Sequence, residues 1–257
     1  MAADRMWEQD REWFVQHFGD RTTRDTSRVA DDRSRIWSPL ARDFADVARD
    51  LFVGRTVADL LDRVAAATTD VVTGAAFAAV TLRGPDGTLH TPAATDPRAA
   101  TLDRIQQGCA DGPLRRATSP SGTGMAGSPD LTKDQQWPEF SPLAVAHGVR
   151  GVLAAGLFPP GRRRGALTAY TTEPRGLAAA DPDVLLVLGS FAVTALSATE
   201  AVTAEDLADV VVTGPLRTND AICRAAEVLL DKRRLSAEDA YDVLSRAARD
   251  LVEAWWT

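Results

Sequence analysis

The sequence predicts an α+β protein, an antiparallel sheet flanked by helices and followed by a small all-α segment. Three observations lead there. Apolar residues recur at helical spacing from Leu40 to Val72, and from Ala76 the pattern becomes the short apolar runs of strands. The strand candidates come in two pairs, one joined by Gly84-Pro85-Asp86-Gly87 and the other by Pro159-Pro160-Gly161-Arg162-Arg163-Arg164, as hairpins require. Beyond residue 200 the periodic segments are helical only. The order helix, hairpin, helix, loop, hairpin, helix places the helices on one face of the sheet.

Residues 1–38 form a densely charged extension carrying Trp7, Trp13, Phe14, Phe18 and Trp37. Aromatics are scarce in disordered tails, so a helix over Asp4–Phe18 that packs on the body or on a second subunit is one reading, and a partly ordered extension is the other. A domain over 39–200 opens with Pro39 at a helix start and Leu40, Phe44, Val47 and Leu51 on one helical face. After Gly54, Thr56 suits the N-cap of a helix over Val57–Thr73 with Leu60, Leu61, Val64 and Ala65 on its apolar face. Strands follow over Ala76–Leu82 and Thr88–Ala94, then a short helix over Ala99–Gln107. The stretch Gly108–Gly127, rich in glycine, serine, threonine and proline, reads as a long loop. Strands over Val149–Leu157 and Gly165–Thr171 complete the sheet, and an apolar helix over Asp181–Thr213 closes the domain. Residues 201–257 continue that helix and add two amphipathic segments, Asp220–Leu230 and Ser236–Leu244.

Composition bounds the function. With 257 residues and 45% hydrophobic content the chain can build a core in each part. A net charge of −7 argues against a non-specific nucleic-acid binder or a polybasic membrane module. Cys109 and Cys223 have no paired spacing, which fits a reduced, cytoplasmic protein. The N-terminus is charged from Asp4 and cannot form the apolar core of a secretory signal, and no run approaches the ~20 apolar residues of a membrane helix.

Four local motifs carry a family resemblance: Gln106-Gln107-Gly108-Cys109-Ala110-Asp111-Gly112-Pro113, Gln136-Trp137-Pro138-Glu139-Phe140, Ala144 with Gly148-Val149-Arg150, and Gly165-Ala166-Leu167-Thr168-Ala169-Tyr170. In this order, from about residue 40 to 200, they resemble a GAF domain of the kind found in actinobacterial regulators. The resemblance implies a sensor of a small ligand or a protein partner, with a small-molecule pocket between the sheet and the loop-helix layer, here lined by Phe77, Val80, Trp137, Phe140, Leu153 and Tyr170. The cysteine that commonly follows the Gly-Pro pair in that group is replaced by Leu114, and the signature of cyclic-nucleotide GAF domains is absent. Read from the residues alone, Trp137 and Phe140 anchor a loop on the sheet.

The C-terminal segment resembles an ANTAR domain, the three-helix RNA-binding module of bacterial antitermination regulators. Ile222, Ala225 and Leu229 match one helix, and Ala240, Tyr241 and Leu244 match the next, whereas Ala226 and Glu227 stand where lysine and glycine are usual and the third helix is truncated or altered. The resemblance implies RNA contacts by Arg224, Lys232, Arg233, Arg234, Tyr241 and Trp255. The residues themselves allow another reading. From Glu205 to Thr257 there are seven basic against eleven acidic side chains, which on average repel phosphate. Two functions therefore stand: antitermination by binding nascent RNA, and an interaction or dimerisation regulator that does not bind RNA. A homodimer is expected, because the helix over Asp181–Thr213 carries Leu185, Leu188, Ala192, Val193 and Leu196 on a face broader than one sheet needs.

Nothing in the sequence assembles into catalysis. His17, His90 and His147 fall on separate elements, and Gly122–Gly127 lacks the lysine of a phosphate loop. No cysteine or histidine grouping suits zinc or haem, so neither a metal nor a cofactor is expected.

Overall fold

The computed structural model describes residues 2–19, 39–51, 56–119, 121–159, 164–212 and 218–256. Trp37, Gly54, residues 160–163 of the basic turn and Thr213 lie outside them. Helices α1 (Ala2–Gly19), α2 (Pro39–Leu51) and α3 (Val57–Val71) precede the hairpin β1 (Phe77–Arg83) and β2 (Leu89–Ala94). Then come α4 (Arg98–Gly108), α5 (Pro113–Ala117), β3 (Met125–Ser128), α6 (Phe140–Ala146), β4 (Gly151–Leu157) and β5 (Arg164–Thr171). The chain continues through α7 (Pro182–Leu196), α8 (Ala204–Ala208), α9 (Thr218–Glu227), a π-helical turn over Val228–Lys232, and α10 (Ala237–Trp256).

The five strands form one antiparallel sheet in the order β2-β1-β5-β4-β3. The edge strand β3 lies inside the expected loop. Its Met-Ala-Gly-Ser sequence has no β-branched or aromatic residue to announce it, and pairing with β4 determines its conformation. The glycines of Gly122–Gly127 thus lead into a strand, a context unlike that of a phosphate loop.

Thr56 and Asp59 close a reciprocal capping box at the start of α3, with bonds of 3.1 and 3.0 Å. At the other end, Gly74 adopts φ +80°, and a Cβ there would meet the Gly176 carbonyl oxygen at 1.9 Å. Only glycine fits this contact.

Helices cover both faces of the sheet, not one. Because side chains alternate along a strand, Phe77, Ala79, Val152, Ala154, Ala166 and Tyr170 face α4–α6, whereas Val80, Leu82, Ala155, Leu157, Leu167 and Ala169 face the larger layer. That layer contains α1, α2, α3, α7, α9 and α10.

Helix α7 lies at its centre, with thirteen of its fifteen residues buried. An all-round apolar helix of this kind belongs inside a protein. It ends at Leu196, well short of Thr213, and its broad apolar face is covered by α3, α9 and α10 of the same chain together with β4. The helix therefore gives no argument for a homodimer.

The C-terminal helices join the same core. Ala221, Ile222, Ala225, Ala226 and Leu229, and in α10 Ala240, Leu244, Ala247, Ala248 and Leu251, are all buried. The alanines let α9 and α10 approach α7 and α2 closely. The segment expected over Ser236–Leu244 continues as one twenty-residue helix, Ala237–Trp256, which takes in the residues of the expected altered third helix.

Candidate ligand face and C-terminal helices

On the α4–α6 face, Phe77 stacks on Tyr170 at 4.9 Å between ring centroids, and the Arg98 guanidinium lies over the Phe77 ring at 4.5 Å. Trp137 meets Phe140 edge-on at 6.3 Å. Their segment is fastened from below. Asp111 accepts from the Glu139 and Phe140 amides at 3.0 Å each, while Glu139 accepts from the Ala110 amide at 2.8 Å. Phe77, Trp137, Phe140 and Tyr170 are buried against one another's layer and fill it as core. Val80 and Leu153 lie on the opposite face, because each is an odd number of residues away from the partners assigned to it on its strand or on the paired strand.

Beside the aromatic group is a buried polar cluster drawn from β1, β2, α4 and α5. Asp103 accepts from the Thr81 hydroxyl at 2.8 Å and the Thr91 hydroxyl at 2.6 Å, with Gln106 Nε2 at 3.4 Å. Gln106 in turn accepts from the Leu114 amide at 2.9 Å. Burial pushes the Asp103 carboxyl up to about 6, against the opposing pull of the two hydroxyls. Burial, and then the nearby Asp103, raises the Tyr170 phenol far above its ordinary value. Thr168 and Gln106 pull it the other way, although among the described residues its hydroxyl has no partner at full hydrogen-bond geometry. One signal was present in the sequence. Ala99, Leu102, Asp103 and Gln106 share a helical face, and two polar residues on a buried stripe are unusual.

The residues assigned to RNA are mostly engaged within the fold. Arg224 pairs with Glu227 at 3.3 Å, and Lys232 Nζ sits 5.1 Å from the centroid of the Phe158 ring. Arg233 forms an ion pair with Asp183, a carboxylate only 6% exposed at the first turn of α7. Arg246 completes that clamp, reaching Asp183 at 2.8 Å and Asp181 at 3.3 Å. Arg234 is exposed and holds φ +56°, turning the chain out of the π-helical segment.

Tyr241 is in the core and cannot stack on a base. Its hydroxyl donates to Asp10 of α1 at 3.0 Å, and its ring lies 5.5 Å from Phe14 and 6.3 Å from Trp7. Asp10 also accepts from the Leu40 amide at 3.2 Å, capping α2 from another helix. Trp255 is on the last turn of α10, with its side chain outside the described residues. Asp10, Asp183 and Arg246 were missed because their partners are 30 to 231 residues away, and no local pattern reports such pairs.

His17 Nδ1 and His147 Nδ1 each lie 2.9 Å from the helix carbonyl four residues earlier, as scaffold residues would. Among the described residues, no group of three or more His, Cys, Asp or Glu could hold a metal ion. No described helix is long and apolar enough to cross a membrane.

No protein-family model matches the chain, and no curated protein sequence matches it. Among solved structures, it is similar to a domain from a two-component sensor histidine kinase protein of Sinorhizobium meliloti, at 16% identity and TM-score 0.35, covering 45% of this chain and 73% of that one. It is also similar to the phytochrome photosensory core module of Stigmatella aurantiaca, at 12% identity and TM-score 0.41, covering 62% of this chain and about a third (35%) of that one.

Proposed function

We propose that the chain is a non-enzymatic cytosolic regulator in which a GAF-like sheet domain senses a signal and the C-terminal helices pass it on through protein contact. The supporting observation is the Asp183 clamp. Helix α7 crosses the back of the sheet against β4 and β5, and its first turn grips Arg233 and Arg246 of the C-terminal segment. A displacement of the sheet is thereby delivered to α9 and α10. The sensor part of this reading rests on the GAF-like motifs and on the order of strands and helices that accompanies them.

Antitermination through RNA is the second reading, favoured by the matches at Ile222, Ala225, Leu229, Ala240 and Leu244. Against it stand the engaged cations and the buried Tyr241. Filter-binding titrations with a paired-hairpin RNA and a scrambled RNA separate the two. Contact transmission predicts equal affinities for both, no tighter than the ~10⁻⁴–10⁻⁶ M of non-specific binding at physiological salt. Selective hairpin binding that is lost on joint replacement of Arg224, Lys232 and Arg234 by glutamate would establish the RNA reading. Arg233 is left out of that variant because reversing its charge would break the clamp.

A further inference from the structure

The edge strand β2, the outer side of α4 and the start of α8 enclose an open groove of about 460 Å³, within the usual range for small-molecule sites. The groove lies at the sheet edge, and Asp103 is on its lining. Its three threonines are one-sided in hydrogen bonding, while Arg104 and His90 also stand on the lining. Three threonine hydroxyls line it, and each spends its single proton on a carboxylate: Thr91 on Asp103 at 2.6 Å, Thr88 on Asp86 at 2.8 Å and Thr203 on Asp206 at 2.7 Å. From these hydroxyls only oxygen lone pairs remain to meet a ligand, one fewer at Thr203, which also accepts from the Asp206 amide at 3.1 Å. Gln107 is used up along the strand edge, accepting from the Leu89 amide at 3.0 Å and donating to the Gly87 carbonyl at 3.3 Å. Leu89, Ala100 and Ala204 supply apolar wall.

From these acceptor hydroxyls beside a buried carboxylate, we propose that the groove binds a small organic monocation, a primary ammonium on a short hydrocarbon stem. An ammonium brings three donors and the charge that a buried Asp103 lacks. Arg104 and His90 on the same lining disfavour a polycation. The site lies apart from the packed Phe77, Trp137, Phe140 and Tyr170 group. It would serve as the sensory site under the function proposed above, but its test reads ligand binding alone and is independent of how α9 and α10 act.

The probe is n-butylammonium, with n-butanol and butyrate as neutral and anionic controls of the same shape, followed by amide chemical shifts of the full chain. The ammonium is expected to saturate in the millimolar range, a level a five-heavy-atom ligand reaches when it fits its site. Shifts should centre on Thr91, Asp103 and Arg104, with both controls much weaker. Asp103→Asn is expected to weaken binding by about thirty-fold or more. Thr91→Val, which keeps the shape, should weaken it several-fold and guards against a misfolded Asp103 variant. Affinity should also fall as pH drops through about 6, where a proton competes with the ammonium for Asp103. Thr81, Thr91, Tyr170 and Gln106, which face Asp103 from β1, β2, β5 and its own helix, stay uncharged over that range, and Arg104 stays charged throughout it. His90 is the other titratable group on the lining, so the same fall in affinity is expected to survive His90→Gln. Absence of a saturable shift at millimolar probe, equal binding of butanol or butyrate, or unchanged binding by Asp103→Asn would each overturn the proposal.

Discussion

Replacing Arg233 and Arg246 together by methionine is expected to destabilise the chain by about 3–5 kcal/mol, because it strands a buried carboxylate without its partners. Asp183 is only 6% exposed, and the Arg233 side chain is 27% exposed, so solvent does little to screen that pair. Arg246 is half exposed and contributes less on its own. The position of Asp183 in the first turn of α7 softens the loss slightly through the helix dipole. Urea denaturation of the wild-type and variant chains measures the cost. Adding Asp183→Asn to the double variant should recover most of it, since the stranded charge is then gone. A double variant within about 1 kcal/mol of wild type would mean that the clamp behaves as a surface pair.

Phe14→Ala should cost about 3–5 kcal/mol, the usual range for a fully buried aromatic reduced to a methyl group. Phe14 has no exposed surface and packs between Phe18 at 4.5 Å and Tyr241 at 5.5 Å. Its neighbour Trp13 is only partly buried and stacks on His17 at 3.7 Å along the outside of the same helix. Trp13→Ala is therefore expected to lose clearly less. Comparing the two variants by urea midpoint distinguishes a docked helix, where the losses differ, from a loosely attached extension, where both are small. The first outcome requires α1 to be part of the fold, as Asp10 also implies by bonding both Tyr241 and the Leu40 amide.

What could be read in the sequence follows from the range of the forces involved. The helices over Asp4–Phe18 and Val57–Thr73, the Thr56 cap and both hairpins rest on periodicity and turn chemistry within a few residues, and they occur within a few residues of their expected bounds. Strand β3 was hidden because pairing with β4, not its own residues, makes it extended. The end of α7 at Leu196 was missed because Ala198, Ala201 and Val202 prolong its apolar character beyond the helix. Among the ligand-face residues, Phe77, Trp137, Phe140 and Tyr170 come together, while strand alternation turns Val80 and Leu153 to the opposite face. For the C-terminal helices, a charge count could not foresee that Arg233 would face Asp183 or that Tyr241 would face Asp10, both consequences of long-range packing.

Packed into one core with the sheet and gripped by Asp183, α9 and α10 belong to one cooperative unit with it. Native-state hydrogen exchange of the full chain tests it most directly, because it reads the free energy of opening segment by segment. The buried amides of α10 around Leu244 and Ala248 are expected to open with the same free energy as those of β1 and β5, and to lose protection together as urea is added. Exchange in α9 and α10 faster by several powers of ten, with the sheet still protected, would show a separately opening module and contradict the claim.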